Sequence, residues 1–237
     1  MKYYLDITLM PDEGCNLVFL WHKVYQQVHL AIVANSFVSN EMVKGRNGEQ
    51  QTLKKSNVAM SFPKYGDKEY PKYGDKEYPL GNTLRLFSET KEQLQQLDIN
   101  TLLNRLEDYT HCKSIKPIDS SKIEKHVCFK RKQFKSAARI AKDINRRAEY
   151  QADKGDKNID ELKALLIEKS KDYDLRSTLP FINLISLSSK PDAALPDKDR
   201  FLLFIEMQDI QAEVKGDFTC YGLSRREEKK QATVPWF

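Results

Sequence analysis

The sequence predicts an α+β protein, on the evidence of two stretches of regular spacing and one concentration of charge. Apolar residues alternate from Lys2 to Met10, as in a strand, and recur at helical spacing over residues 16–35. Further along the chain, positive charge gathers on a second predicted helix. We expect an N-terminal ferredoxin-like (RRM-like) domain over residues 1–118, followed by a smaller α/β domain with a basic helix over residues 119–237.

The first half has the element order strand, helix, strand, strand, helix, strand. After the first strand and helix, short strands are predicted at 58–62, 83–87 and about 109–115. Thr90 and Gln93 have the spacing of a capping box, so a helix should begin after Thr90 and continue through the leucines to Leu106. This order is the ferredoxin-like arrangement, which RNA-recognition modules share, although a fold alone does not fix a function.

The second half begins with a basic segment. Between Lys122 and Arg147 there are ten Lys or Arg residues, opposed only by Glu124 and Asp143. A helix is expected from Ser136, a possible N-cap, to about Asp153, with Ile140, Ala141, Ile144 and Ala148 among its apolar positions. Four cations recur on the opposite face, at Lys135, Arg139, Lys142 and Arg146. Another helix is expected at 159–171, and strands at 181–187, 201–208 and 212–221.

A cationic helix face matches the line of negative charge on a phosphate backbone, which favours a nucleic-acid partner. The alternative is a solvated charged face, but such faces usually mix the two signs. His29 lies at the edge of the apolar stripe of the first helix, where it could act as a base near neutral pH. Taken alone, a histidine at that position is more often an ordinary packed or surface residue.

Other features of the composition narrow the class of protein. No apolar stretch approaches the roughly 20 residues of a membrane span, so we expect a cytoplasmic protein without a membrane partner. The four cysteines form no C-x-x-C pair, and neither they nor the four histidines have metal-ligand spacing. No metal and no cofactor is therefore expected. Residues 64–71 and 72–79 both read KYGDKEYP, a duplication typical of a surface loop.

Several motifs resemble a known family. The ending FTCYGLS (Phe218 to Ser224) followed by VPWF (Val234 to Phe237) is similar to the CRISPR repeat-processing endoribonuclease of type I-F systems. Five other motifs are similar to the same family: YLDITLMPD from Tyr4, VHLAIVA from Val28, SFP from Ser61, LPF from Leu179 and FLLFI from Phe201. The motifs occur in the family's order from end to end. The octapeptide repeat, KPDAALPDKD and RREEKKQA look like insertions.

The resemblance implies roles for individual residues. It makes His29 the general base, Ser186 the residue that positions the attacking ribose hydroxyl, and Tyr221 the residue that orients the histidine. For RNA binding, the resemblance implies that Arg131 and Gln133 contact base edges and that Phe201 stacks on the closing base pair. It also implies that Ser188 and Ser189 contact phosphate. The remaining implied RNA-binding residues belong to the basic helix: Lys135, Arg139, Lys142, Arg146 and Arg147. Asp143 is a departure from the family's arginine-rich helix.

The implied function is cleavage of a CRISPR precursor at the base of its repeat hairpin, by metal-independent attack of the ribose 2′-hydroxyl. The expected products are a 2′,3′-cyclic phosphate and a 5′-hydroxyl. The protein is expected to stay bound to the hairpin RNA among the other subunits of the type I-F effector complex. One alternative is a non-catalytic hairpin-RNA-binding subunit of that complex. Another is a DNA-binding regulator, which would leave the ferredoxin-like half unexplained.

Overall fold

The computed structural model describes residues 1–44, 50–67, 80–134, 137–155, 158–170, 179–186, 200–225 and 231–237. The class is α+β with antiparallel sheets, as predicted. The chain forms two compact units, residues 1–131 with 180–237, and residues 132–179. The domain boundary between residues 118 and 119 stays a prediction. Within the described residues, no helix has both the length and the apolar character needed to cross a bilayer.

The N-terminal part of the first unit is built around one antiparallel sheet. Its elements are β1 (Tyr3–Leu9), α1 (Leu17–Ala34), β2 (Phe37–Lys44), β3 (Gln50–Ser56), β4 (Ala59–Ser61), β5 (Thr83–Ser88), α2 (Lys91–Gln95), α3 (Ile99–Leu102), β6 (Thr110–Cys112) and β7 (Lys116–Pro117). The strand order is β4-β5-β1-β6, with β7 also paired to β1. Within this sheet β1 lies between β5 and β6, while β2 and β3, which follow α1 in the chain, belong to another sheet.

Two further sheets contain the remaining strands. These are β8 (Lys125–Lys132), β9 (Phe181–Ile185), β10 (Arg200–Ile210), β11 (Phe218–Thr219) and β12 (Val234–Trp236). A four-stranded sheet has the order β12-β8-β10-β9, and a three-stranded sheet has the order β11-β3-β2. The C-terminal strand β12 therefore pairs with β8, and β11 pairs with the N-terminal hairpin β2–β3.

Helix α1 forms as its apolar spacing predicts. The Asn16 side chain accepts the Phe19 N–H at 2.8 Å and so satisfies one of the free donors of the first turn. One face of the helix is buried in the core of the first unit, and Trp21 on that face donates to the Gly81 carbonyl at 2.8 Å. The buried positions are Leu17, Leu20, Trp21, Val24, Tyr25, Val28, Ala31 and Ile32. His29 lies on the flank of this face.

Two predicted elements are interrupted in the structure. The capping box of Thr90 and Gln93 is present, but the helix expected to continue to Leu106 is divided into α2, α3 and a 3-10 turn. Asp98 has a left-handed backbone (φ 44°) between α2 and α3, which an α-helix cannot accommodate. The strand expected over 212–221 is wrong except for β11, because residues 211–217 lie exposed or half-exposed outside any sheet.

The described part of the second unit contains two helices, α4 (Ala137–Ala152) and α5 (Ile159–Ser170). Ile140 and Ala148 of α4 and Leu162 of α5 are buried, so the two helices bury apolar positions within this unit. Ala141, one of the positions on the predicted apolar face, is exposed. The predicted N-cap Ser136 lies outside the described residues.

A buried ion pair joins the two central strands of the N-terminal sheet. Asp6 of β1 is 5% exposed, and Arg85 of β5 donates to both of its carboxylate oxygens, at 2.6 and 3.1 Å. Arg85 also donates to the Phe237 carbonyl at 2.9 Å and lies 4.2 Å from the centre of its ring. The same guanidinium thus connects the sheet to the C-terminal residue.

Replacement of Arg85 by Ala should destabilise the fold by about 3–5 kcal/mol, because it leaves the buried Asp6 carboxylate with only the exposed Lys113 ammonium, 3.7 Å away. Urea unfolding followed by circular dichroism measures the change. Arg105→Ala is the control, since Arg105 is exposed. A loss below about 1 kcal/mol for Arg85→Ala, as expected of a surface pair, would contradict this assignment.

Candidate active site

The FTCYGLS segment forms a tight turn in which three successive carbonyls accept hydrogen bonds from α1 and β4. The Cys220 carbonyl accepts from His29 Nδ1 at 2.8 Å, and the Tyr221 carbonyl accepts from the Tyr25 hydroxyl at 2.8 Å. The Gly222 carbonyl accepts from the Met60 N–H at 2.7 Å. Three successive residues near the C-terminus are therefore bound to α1 and β4.

Gly222 is required at this turn for two reasons. Its φ is +66°, a conformation that side-chain-bearing residues seldom adopt. A Cβ atom at this position would lie 2.4 Å from Met60 Cγ and 3.2 Å from the Met60 nitrogen. The Thr219 carbonyl accepts the Gly222 N–H at 2.8 Å and closes the turn. Glycine thus allows the backbone of the turn to approach β4.

His29 is half-buried, and its hydrogen bond fixes the position of its proton. A carbonyl oxygen can only accept, so Nδ1 carries the hydrogen, and in the neutral ring Nε2 carries the lone pair. Nε2 has no hydrogen-bond partner among the described residues. Burial lowers the pKa of His29 below the usual histidine value, and the bond to the Cys220 carbonyl opposes part of that decrease. The ring is therefore neutral at neutral pH and can accept a proton at Nε2.

Aromatic rings and a cation surround this imidazole. The Tyr221 ring stacks on His29, with centroids 4.5 Å apart and an interplanar angle of 3°. Phe201 of β10 meets Tyr221 edge to face at 6.4 Å. The Arg131 guanidinium lies 5.1 Å from the Phe201 ring and 5.4 Å from the Tyr221 ring, which are cation–π distances. The structure thus brings together four of the residues that the sequence nominates.

Arg131 retains binding capacity that the protein does not use. Its Nε atom is buried and has no hydrogen-bond partner among the described residues. A buried donor without a partner is costly, and such a group in a native structure often awaits a ligand. Lys130, its neighbour on β8, is instead paired with Glu206 at 3.4 Å. The unpaired donor therefore lies at the aromatic cluster.

Ser186 follows the end of β9, which is bound to α1. Gln26, one turn before His29 on α1, accepts the N–H of Ile185 at 3.1 Å. His22, a further turn back, is hydrogen-bonded through Nδ1 to the Asn183 carbonyl. These contacts place the segment that carries Ser186 alongside the helix that carries His29. Ser186 itself is half-buried and makes contacts of its own.

The remaining nominated residues lie in the second unit or outside the described residues. Gln133 follows β8, and its side chain is exposed. On α4 the nominated cations Arg139, Lys142, Arg146 and Arg147 are all exposed. Asp143 lies 3.4 Å from Arg146, so one cation of the helix is partly compensated by its neighbour. Lys135, Ser188 and Ser189 lie outside the described residues.

Sequence reasoning missed two residues of this site. These are His22 and Gln26, which precede His29 on α1 at spacings of four and three residues, a pattern that could have indicated a shared contact. In the second unit, taken by itself, Tyr150 was also not predicted; it lines an open cleft of about 330 Å³ on α4 with Arg146, Arg147 and Gln151. Among the described residues, no three His, Cys, Asp or Glu side chains are grouped so that they could bind a metal ion.

The fold and the site define an α+β protein with a histidine-centred cluster and an exposed basic helix. Residues 4–237 match the family model described as CRISPR-associated protein (Cas_Csy4). The chain therefore belongs to the Csy4 family, the type I-F CRISPR endoribonuclease family. No curated protein matches the chain. Among solved structures, a Cas6-related protein from Pyrococcus furiosus is similar at 12% identity and a TM-score of 0.29, over 99% of this chain and 98% of that one.

Proposed function

We propose that this protein is a cytoplasmic, metal-independent endoribonuclease that cuts CRISPR precursor RNA at the base of the repeat hairpin and keeps the hairpin product. The observation that carries the proposal is the state of His29. Its Nδ1 is bound to the Cys220 carbonyl, its pKa is lowered by burial, and its Nε2 is available to accept a proton. Membership of the Csy4 family supplies the substrate class.

The reaction uses a nucleophile that the RNA itself carries. Nε2 of His29 takes the proton of the 2′-hydroxyl at the cleavage nucleotide, and the freed oxygen attacks the adjacent phosphorus. The bond from phosphorus to the 5′-oxygen of the next nucleotide breaks, and that oxygen takes a proton from solvent. The products are a 2′,3′-cyclic phosphate and a 5′-hydroxyl. The base is regenerated when His29 returns its proton to solvent.

The electrostatics favour the reactive form of the base. The neutral imidazole is the form that accepts a proton, and burial extends its range to lower pH than an ordinary histidine would have. Activity should therefore persist as the pH falls through the usual histidine pKa and decline only below it. Tyr221 stacks on the ring and restrains its orientation, which favours in-line geometry.

Recognition of the hairpin is assigned to groups that take no part in the proton transfer. Phe201 offers a stacking surface for the closing base pair, and the unpaired Nε of Arg131 offers a donor to a base edge or phosphate. The exposed cations of α4, together with Lys135, Ser188, Ser189 and Gln133, would bind the phosphates and bases of the stem. Because the cut lies at the base of the hairpin, these contacts remain after cleavage. That persistence explains retention of the product within an effector complex of several subunits.

Replacement of His29 by Ala should abolish cleavage while leaving hairpin affinity nearly unchanged. Removal of a general base costs roughly 10²–10⁴-fold in rate, and this contribution exists only in the transition state. Single-turnover cleavage and filter binding of the same radiolabelled hairpin measure the two effects. His111→Ala is the matched control, since His111 is exposed on β6.

Two outcomes would contradict that assignment. Normal cutting by His29→Ala would mean that another group is the base. A more than tenfold loss of affinity would make His29 an RNA-contacting or structural residue. If the wild-type protein binds the hairpin but never cuts it, the alternative of a non-catalytic binding subunit is favoured instead.

Combined replacement of Arg139, Lys142 and Arg146 by Ala should weaken binding to many RNA sequences alike. For every phosphate that the protein no longer neutralises, the slope of log affinity against log salt should fall by about 0.7 to 0.9. The control replaces three other exposed cations, Lys91, Arg105 and Lys116, by Ala. It therefore has the same net charge as the α4 variant. If both triple variants show the wild-type slope, the cations of α4 do not contact RNA.

A further inference from the structure

Helix α1 covers one edge of strand β9 with two polar side chains. Among the described strands, β9 is the last of its sheet, and one row of its backbone groups does not face β10. On that row, the Asn183 carbonyl is bound by His22 Nδ1, and the Ile185 N–H donates to Gln26 Oε1 at 3.1 Å. An exposed strand edge is usually protected by charge, proline or a covering element. Here side chains of α1 take the place of a neighbouring strand.

The spacing of these contacts places the two elements in register. His22 and Gln26 are separated by four residues, a rise of about 6 Å along a helix. Asn183 and Ile185 are separated by two residues, about 6.6 Å along a strand. α1 and β9 therefore advance side by side in the same direction. The next turn of α1 brings His29, and the next residue after Ile185 is Ser186.

We propose that Gln26 is a positioning residue that sets the placement of Ser186 relative to His29. This inference rests on the proposed function, in which Ser186 orients the ribose hydroxyl that His29 deprotonates. Gln26 binds the residue directly before Ser186 and lies three residues before His29, so it connects both by short, stiff segments. If the side-chain carbonyl of Gln26 is removed, the N–H of Ile185 loses its acceptor, and the end of β9 is free to move away from α1.

The position of Gln26 on the helix supports this role over simple packing. Its neighbours Val24, Tyr25 and Val28 are buried and belong to the core, whereas Gln26 is half-buried at the edge of β9. Gln27, the next residue, is also half-buried but makes no contact with β9 through a hydrogen bond among those described. The chain thus offers an internal comparison between two glutamines of similar exposure.

The test compares Gln26→Met, which keeps the length of the side chain but removes the acceptor, with Gln26→Glu, which keeps an acceptor. Gln27→Met is the matched control. We expect Gln26→Met to slow single-turnover cleavage at saturating RNA by roughly ten- to a hundredfold, as a small misplacement of reacting groups does. Gln26→Glu and Gln27→Met should cut at close to the wild-type rate. Affinity for a hairpin with a 2′-deoxy cleavage nucleotide, and the melting temperature, should not change. Gln26→Ala serves as a second variant without the acceptor.

A double-variant comparison shows whether Gln26 acts through Ser186. In a Ser186→Ala background, Gln26→Met should cause little further loss, because the group that it positions is already absent. Full additivity of the two losses would overturn the inference, as would unchanged cleavage by both Gln26→Met and Gln26→Ala. So would an absence of any effect of Ser186→Ala. Absence of cleavage by the wild-type protein would instead contradict the proposed function itself.

Discussion

The site depends on the return of the C-terminal turn to helix α1. Three consecutive carbonyls, from Cys220 to Gly222, accept hydrogen bonds from His29, Tyr25 and Met60. The positive φ of Gly222 permits this approach, and β11 and β12 on either side of the turn anchor it to β3 and β8. Since each of these bonds joins residues far apart in sequence, the tautomer of the histidine is a property of the completed fold. Any change that moves the turn changes the state of the imidazole.

The groups proposed for binding and the group proposed for catalysis lie on different elements. The groups that offer charge or stacking surface lie on β8, β10 and α4, whereas the imidazole lies on α1. Burial, rather than a charged partner, lowers the pKa of His29. A base held neutral by its surroundings needs no carboxylate to orient it, because the backbone carbonyl already does so. Among the described residues, no carboxylate is hydrogen-bonded to the His29 ring.

Much of this could be predicted from the sequence, because the signals are local. The apolar spacing of α1, the alternation of β1 and the capping box at Thr90 each depend on neighbouring residues and are confirmed. The break at Asp98, the buried pair of Asp6 with Arg85 and the covering of β9 by Gln26 depend on contacts between distant segments. Motif resemblance nominated His29, Tyr221, Arg131 and Phe201 as a group, and the structure places them in contact. It could not indicate that an unpaired Arg131 nitrogen lies there, since that follows from packing alone.

The chemistry of the cut ends tests the central claim most directly. A hairpin RNA cut by the wild-type protein in excess EDTA is analysed by mass spectrometry of both fragments. Attack by the 2′-hydroxyl with His29 as base predicts a 2′,3′-cyclic phosphate on the hairpin fragment and a 5′-hydroxyl on the other. A 3′-hydroxyl with a 5′-phosphate would contradict the account, because it requires attack by water from outside the RNA. Loss of cutting in EDTA that magnesium restores would contradict it equally.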